Sequence, residues 1–174
     1  MSTPYSKIHL LNVLIGHEVP KPDTEEFWNY VRNQTELVLE ESQEAHDEAI
    51  DQNLEKYISE VADIMVTAIG LYQKLQLAGV PIDKVLDRVC DKNLEKFHKT
   101  AEEANETVQF YTEKSVETFV RLTVLEDGSE YYAVIRKSDG KMLKPKGFEK
   151  ATFGDIMEEI AENVKNWEDS ASET

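Results

Sequence analysis

Apolar residues recur every three or four positions along two long stretches of the chain. The first stretch covers 27–38 and the second 54–75, and this spacing is the period of an amphipathic helix. We therefore expect long helices at about 24–50 and 54–77. The polar run 51–53 between them is short, so the two helices should fold back on each other in antiparallel fashion.

Shorter helical patterns flank this pair. A first helix should end near Gly16, and a third core helix should run from Pro81 to about residue 103. Residues 104–115 are polar and weakly patterned. We expect this segment to form a connector or a frayed extension of the preceding helix.

Beyond residue 115 the pattern becomes strand-like. Two β-prone runs, 116–124 and 131–135, flank Asp127-Gly128, a pair typical of hairpin turns. A last amphipathic helix is expected at about 152–167. The predicted fold class is mainly all-α, with an antiparallel helical bundle core and a C-terminal β-hairpin and helix as an appendage. We expect four parts: a helical core at 1–103, a connector at 104–115, an appendage at 116–168 and a disordered tail at 169–174.

The excess of acidic over basic residues argues against some classes of binding partner. The chain has 174 residues, with 19 Lys and Arg against 35 Asp and Glu, which gives a formal net charge of −16. An acidic surface repels a phosphate backbone, so we expect no nucleic-acid partner. The single cysteine, Cys90, excludes an intrachain disulfide, and no stretch is apolar enough to predict a membrane span. We expect a cytoplasmic protein, in the host cytoplasm if the chain is phage-encoded.

Carboxylates interrupt the apolar faces of the two long helices. Glu41 and Glu44 continue the stripe of the first helix, and Glu60 and Asp63 lie one turn apart in the second. Glu44 and Glu60 are each eight residues from position 52, and Glu41 and Asp63 are each 11 residues from it. Helices that fold back at this turn would place Glu44 opposite Glu60 and Glu41 opposite Asp63, with Glu40 beside them.

Such a carboxylate layer is costly without a cation. At an effective dielectric constant near 20, each close pair of like charges costs on the order of 4 kcal/mol, and desolvation adds to this cost. A bound divalent ion removes the repulsion, and all-oxygen ligands favour Mg²⁺, with Mn²⁺ as a second choice. The alternative is a solvated acidic face. A di-iron site is disfavoured because it needs two Glu-x-x-His motifs. The chain offers one, Glu95 with His98, and no second one near the carboxylate layer.

A basic stripe follows in the third core helix. Lys92 and Lys96 recur at helical spacing beside Asn93. We expect Asn93 and Lys96 to contact phosphate groups, with Lys92 as a weaker candidate. The alternative is an exposed face that balances nearby acids. The lysine-rich loop 141–146 leaves two interpretations open: a lid that adds charge near the phosphates, or a packing element.

The acidic motif resembles the signature of a known enzyme superfamily. Glu40-Glu41-Ser42-Gln43-Glu44, a spacer of 15 residues and Glu60-Val61-Ala62-Asp63 are similar to the motif of the all-α nucleoside triphosphate pyrophosphohydrolases, which include MazG, the dimeric dUTPases and phosphoribosyl-ATP pyrophosphatase. The segment from Asn93 to Lys96 resembles the one that follows the third core helix in that superfamily. The resemblance covers about residues 5–100 and points to phage and bacterial phosphoribosyl-ATP-pyrophosphatase-like proteins.

This resemblance implies a reaction, a ligand set and an assembly. The reaction would be Mg²⁺-dependent hydrolysis of a nucleoside triphosphate, or a related nucleotide such as phosphoribosyl-ATP, to the monophosphate and pyrophosphate. Glu41, Glu44, Glu60 and Asp63 would be metal ligands, and Glu40 and Glu44 would be catalytic, with Glu40 orienting the attacking water. The assembly would be a homodimer or homotetramer. The alternative is a helical oligomer that binds metal and nucleotide without turnover.

Overall fold

The computed structural model describes residues 3–16 and 18–172, with side chains described as far as residue 166. The described elements, in chain order, are α1 (Pro4–Ile15), α2 (Glu25–Ile50), α3 (Leu54–Leu77), α4 (Ile82–Leu94), α5 (Ala101–Thr112), β1 (Thr118–Val124), β2 (Glu130–Arg136) and α6 (Gly154–Ser172). This architecture confirms the predicted fold class: a helical core with one small antiparallel sheet and a C-terminal helix.

The chain divides into two compact units. The first contains the residues up to 83 together with those from 154 onward, and the second contains 84–153. The first unit therefore holds α1, α2, α3 and α6, while the second holds most of α4, together with α5 and the hairpin. The assignment of the enzymatic core to 1–103 stays a prediction.

The first unit is built around the antiparallel pair α2 and α3. Gln52 adopts a left-handed conformation with φ 55° and reverses the chain within three residues. The side chain of Asn53 then accepts a hydrogen bond from the Lys56 N–H at 3.3 Å and caps the start of α3. Ala45 faces this interface and is 5% exposed, and its small side chain allows a close helix contact. The short turn thus fixes which residues of α2 and α3 meet.

Helix α1 packs on α3 through a partly polar interface. Asn12 Nδ2 donates to Gln73 Oε1 at 3.0 Å, and Gln73 Nε2 donates to the Tyr5 carbonyl at 3.3 Å. Gln73 is buried, so these bonds satisfy an amide that would otherwise be costly to bury. Among the residues at 3–16 and 18–172, no helix combines the length and apolar character needed to cross a membrane.

In the second unit a β-hairpin packs against α5. Strands β1 and β2 pair antiparallel, with Val120 opposite Val134, and a five-residue loop containing Asp127-Gly128 joins them. Val134 forms a small core with Ala104 of α5 and Leu143, which follows the hairpin. Leu143 reaches that core because its N–H donates to the Val134 carbonyl at 2.8 Å. The sequence predicted the hairpin and the turn position.

Three boundaries expected from the sequence were wrong. The third core helix ends at Leu94 instead of near residue 103, because the backbone of His98 makes two hydrogen bonds to that of Tyr132 in β2. The expected connector at 104–115 is mostly helical, because it contains most of α5. Thr100 and Glu103 form a capping box that starts this helix. At the C-terminus, residues 169–172 of the expected disordered tail belong to α6, and 173–174 lie outside the described residues.

Truncation of Val134 to Ala should destabilise the second unit by about 1–3 kcal/mol, because two buried methyl groups are lost and a void remains. Val134 is fully buried, whereas Val124 in β1 is 57% exposed and provides the matched control. Urea denaturation followed by circular dichroism would compare the variants. Equal destabilisation by Val124→Ala would contradict the core described for this unit.

Candidate metal centre

The α2 side of the candidate site is set by helical spacing. Glu41 lies one turn before Ala45 on the face that packs against α3, and Glu44 lies three residues after Glu41. Glu41 is half-buried, whereas Glu40 and Glu44 are exposed. Glu41 is therefore the α2 carboxylate most enclosed by the helix pair.

The α3 side supplies Glu60 and Asp63, which are three residues apart on one helix face. The two helices bring Glu41, Glu60 and Asp63 together, so that one carboxylate oxygen from each lies within 4.8 Å of the others. Glu44 also lies close enough to Glu60 for its charge to raise the pKa of the Glu60 carboxyl. The sequence predicted this face-to-face arrangement, while the role of each residue as a ligand or catalyst stays a prediction.

Mutual repulsion is visible in the acid–base properties of the cluster. Burial raises the pKa of the Glu41 carboxyl above its ordinary value, and the charge of Asp63 raises it further, followed by those of Glu44, Glu60 and Glu40. Burial likewise raises the pKa of Glu60, with Glu44 as the first of the neighbouring charges that add to it. The protein alone therefore holds these carboxylates at an electrostatic cost.

The donor set fits a hard divalent cation. Every donor is a carboxylate oxygen, which is the ligand type that Mg²⁺ and Mn²⁺ prefer, and there is no thiolate or imidazole in the cluster of Glu41, Glu60 and Asp63. Octahedral Mg²⁺ keeps its oxygens about 2.0–2.1 Å away, so oxygens on opposite sides of the ion are about 4.2 Å apart. Small side-chain rotations would bring the three observed oxygens to such distances.

Comparison with known proteins places this cluster in a family context. Residues 9–93 match the family described as phosphoribosyl-ATP pyrophosphohydrolase, and all five carboxylates of the layer lie inside the match. Residues 9–93 belong to this family. The phosphoribosyl-ATP pyrophosphohydrolase family is part of the MazG-like nucleotide pyrophosphatase superfamily, and its members usually use a divalent metal.

One curated relative is a viral protein. It is named "Uncharacterized protein L479", comes from Acanthamoeba polyphaga mimivirus and is 31% identical over 106 residues. The match covers 60% of this chain and 42% of the relative, so the chain spans less than half of that protein's length. The relative's name assigns no activity.

The phosphate candidates lie in the second unit. Lys92 and Asn93 fall at the end of the family match and Lys96 lies just beyond it. Lys96 donates a hydrogen bond to the Asn93 side-chain oxygen, and Lys92 pairs with Glu95 at 2.6 Å. These three candidates line one pocket of about 310 Å³. Their contact with phosphate stays a prediction.

Sequence reasoning missed a buried lysine in the first unit. Lys74 of α3 is 6% exposed, donates to Gln34 Oε1 of α2 and lies over the Tyr30 ring at 5.8 Å. Burial lowers the pKa of Lys74. Equal spacing from position 52 places Gln34 opposite Gly70, one turn before Lys74, so helical spacing alone did not indicate this contact.

The first unit also has an apolar cleft between its helices. The cleft has a volume of about 690 Å³ and includes Phe27, Trp28 and Val31 of α2 among its lining residues. Phe27 is buried, whereas Trp28 is half-exposed and donates from Nε1 to Asp23 Oδ1 at 3.3 Å. Phe27 is therefore a core residue, in agreement with its helical spacing.

Proposed function

We propose that this chain is a Mg²⁺-dependent pyrophosphohydrolase that converts a nucleoside triphosphate, or a related nucleotide such as phosphoribosyl-ATP, to the monophosphate and pyrophosphate. The observation that carries the proposal is the convergence of Glu41, Glu60 and Asp63 within a family-matched helix pair. The family supports a pyrophosphohydrolase. The substrate and the Mg²⁺ dependence are our own proposals.

Glu41, Glu60 and Asp63 would hold the ion, with Glu44 completing the set from its position beside Glu60. A divalent ion bound there supplies positive charge for the phosphate oxygens and lowers the pKa of water. The same carboxylates would keep the ion at the interface of α2 and α3, where the rigid helices fix the spacing of the carboxylates. Mn²⁺ should substitute for Mg²⁺ because it accepts the same oxygen ligands.

Glu40 and Glu44 are the proposed catalytic carboxylates. In hydrolysis, water forms a new P–O bond, the bridging phosphoanhydride P–O bond breaks, and the proton of the water passes to a carboxylate oxygen. Glu40 is exposed beside the cluster, a position from which it would orient water and accept that proton. Glu44 would combine ligation with a second hydrogen bond to the water. Lys92, Lys96 and Asn93 are the proposed phosphate contacts, the two lysines through their positive charge and Asn93 through its neutral amide N–H groups.

A homodimer or homotetramer is also proposed. Large apolar side chains on the helix pair are exposed in the single chain, including Leu39, Ile58 and Met65, each more than half exposed. Apolar surface of this kind is typical of an obligate interface between copies. We place the enzyme in the cytoplasm.

The deciding experiment is a substrate panel. We expect pyrophosphate release from at least one ribo- or deoxyribonucleoside triphosphate, or from phosphoribosyl-ATP, in the presence of Mg²⁺, and loss of release after the metal is removed by a chelator. Re-addition of Mg²⁺ or Mn²⁺ should restore activity. Metal and nucleotide binding without product would instead support the non-catalytic alternative. Failure of Mg²⁺ and Mn²⁺ to bind at all would support a solvated acidic face.

A further inference from the structure

A pocket in the second unit collects positive charge. It lies between the C-terminal part of α4 and the loop after β2, and four lysines line it. We call it the lysine pocket, and define it by Lys92, Lys96, Lys144 and Lys150 together with Asn93 and Phe148. Its volume is about 310 Å³.

The sign of the charge is opposite to that of the whole chain. Acidic residues outnumber basic ones by 35 to 19, yet the described residues that line the lysine pocket include four lysines and neither Asp nor Glu. Lysines that converge on one cavity repel each other, and an anion in the cavity relieves this repulsion. The pocket therefore has the electrostatics of an anion site.

An aromatic ring holds two of these cations in place. The Phe148 ring lies 5.9 Å from Lys96 Nζ and 5.5 Å from Lys144 Nζ. Cation–π contacts at such distances orient an ammonium group without neutralising its charge. Lys92 differs, because it pairs with Glu95 at 2.6 Å. Lys96 and Lys144 are consequently the better-placed pair for an incoming anion.

The loop that carries Lys144 and Lys150 is anchored on both sides. The Tyr111 hydroxyl of α5 donates to the Lys144 carbonyl at 3.0 Å, and the Lys146 N–H donates to the buried Thr107 hydroxyl at 3.4 Å. At its far end, Arg88 of α4 donates to the Thr152 carbonyl at 2.7 Å. A fixed loop keeps the lysines in position and reduces the entropy lost when a ligand binds.

We propose that the lysine pocket binds the phosphate groups of a polyphosphate ligand. Its size suits a pyrophosphate or triphosphate group, and ammonium groups together with the Asn93 amide are donors that phosphate oxygens accept. Lys144, Phe148 and Lys150 lie beyond the family match at 9–93, so this part of the pocket is specific to the C-terminal segment. If the phosphate groups belong to the substrate, the inference rests on the proposed function. A separate phosphorylated effector is the other source.

Calorimetric titration of the full chain with sodium pyrophosphate tests the proposal. The protein is first freed of metal by a chelating resin, so that the carboxylate layer cannot contribute through a bound cation. We expect saturable binding, weakened about tenfold by Lys144→Gln and by Lys150→Gln. Lys146→Gln is the matched control, because it removes the same charge from the same loop outside the pocket lining. Its affinity should stay within about twofold of the wild type.

The possible results of the pyrophosphate titration lead to different conclusions. Absence of pyrophosphate binding, or equal weakening by Lys146→Gln, would overturn the proposal and reduce the lysines to a general surface charge. Binding that is retained in both pocket variants would overturn it as well. Because no turnover is measured, a chain that binds pyrophosphate but hydrolyses no nucleotide would contradict the proposed function and leave the pocket standing.

Steady-state kinetics then identifies the source of the phosphate. If the substrate supplies it, Lys144→Gln should raise KM for the active nucleotide about tenfold and change kcat little. If an effector supplies it, KM should stay unchanged, and the response of the rate to added pyrophosphate or free nucleotide should be lost. Either result supports a phosphate site in the pocket.

Discussion

Replacement of Asp63 by Asn is expected to reduce Mg²⁺-dependent pyrophosphate release by more than about a hundredfold. The loss of a residue that supports a metal ligand already costs about 10–100-fold in affinity or activity, and loss of a ligand should cost more. The fold should persist, because Asn has nearly the same shape as Asp and the substitution removes one charge from a cluster of like charges. Pyrophosphate release under saturating Mg²⁺ is the measurement, with circular dichroism to verify folding.

A matched control makes this result specific. Glu36 is an exposed carboxylate of α2 outside the cluster, so Glu36→Gln removes the same charge as Glu41→Gln without touching the proposed site. Glu41→Gln should behave like Asp63→Asn, and Glu36→Gln should retain full activity. Wild-type turnover in Asp63→Asn would eliminate the carboxylate cluster as the catalytic metal centre.

The metal-free protein is expected to melt at a higher temperature when Glu41 is replaced by Gln. The substitution removes a carboxylate whose pKa is raised by burial and then by the charges of Asp63, Glu44, Glu60 and Glu40. We expect a gain of about 2 °C, because solvent screens part of the repulsion. Differential scanning fluorimetry on the metal-free protein would measure it, with Glu36→Gln as the control. A lower melting temperature for Glu41→Gln at pH 8 would contradict a strained layer.

The sign of the pH dependence follows from the same two carboxyl groups. The pKa values of Glu41 and Glu60 lie above the ordinary value of 4.5, so the folded protein holds protons that the unfolded chain releases. Their contribution to stability therefore falls as pH rises from about the ordinary value through the raised values. The advantage of Glu41→Gln should consequently be larger at pH 8 than near pH 4.5. At saturating Mg²⁺ the wild type should instead have the higher melting temperature, because it binds the ion more tightly than Glu41→Gln does.

The pairing of Glu41 with Asp63 was predictable because it depends on local rules. Helical spacing places each carboxylate on a face, and a turn of three residues leaves little freedom in the alignment of the helices it joins. Helical spacing and the short turn do not determine what the phosphate candidates contact, because these residues lie in the second unit. Whether Asn93 or Lys96 contacts the substrate depends on tertiary and quaternary contacts that no local pattern encodes.

Helix α5 and the end of α4 were not predicted, for two different reasons. Helix α5 carried a readable signal, because Thr100 and Glu103 have capping-box spacing and Ala104 and Val108 lie on one helical face. That segment was polar enough to resemble a connector. The end of α4 was not readable, because it depends on backbone hydrogen bonds between His98 and Tyr132, which are far apart in sequence. The lysine pocket likewise joins residues about fifty positions apart.

The buried contact between Lys74 and Gln34 constrains how α2 and α3 align along their axes. If α3 slid along α2 by one turn, the ammonium would lose its amide partner inside an apolar interface, which is a costly arrangement. Asp63 is 11 residues before Lys74 on the same rigid helix, about 16 Å away. A polar contact outside the carboxylate cluster thereby penalises misaligned packing of the two helices and supports the alignment that the short turn sets.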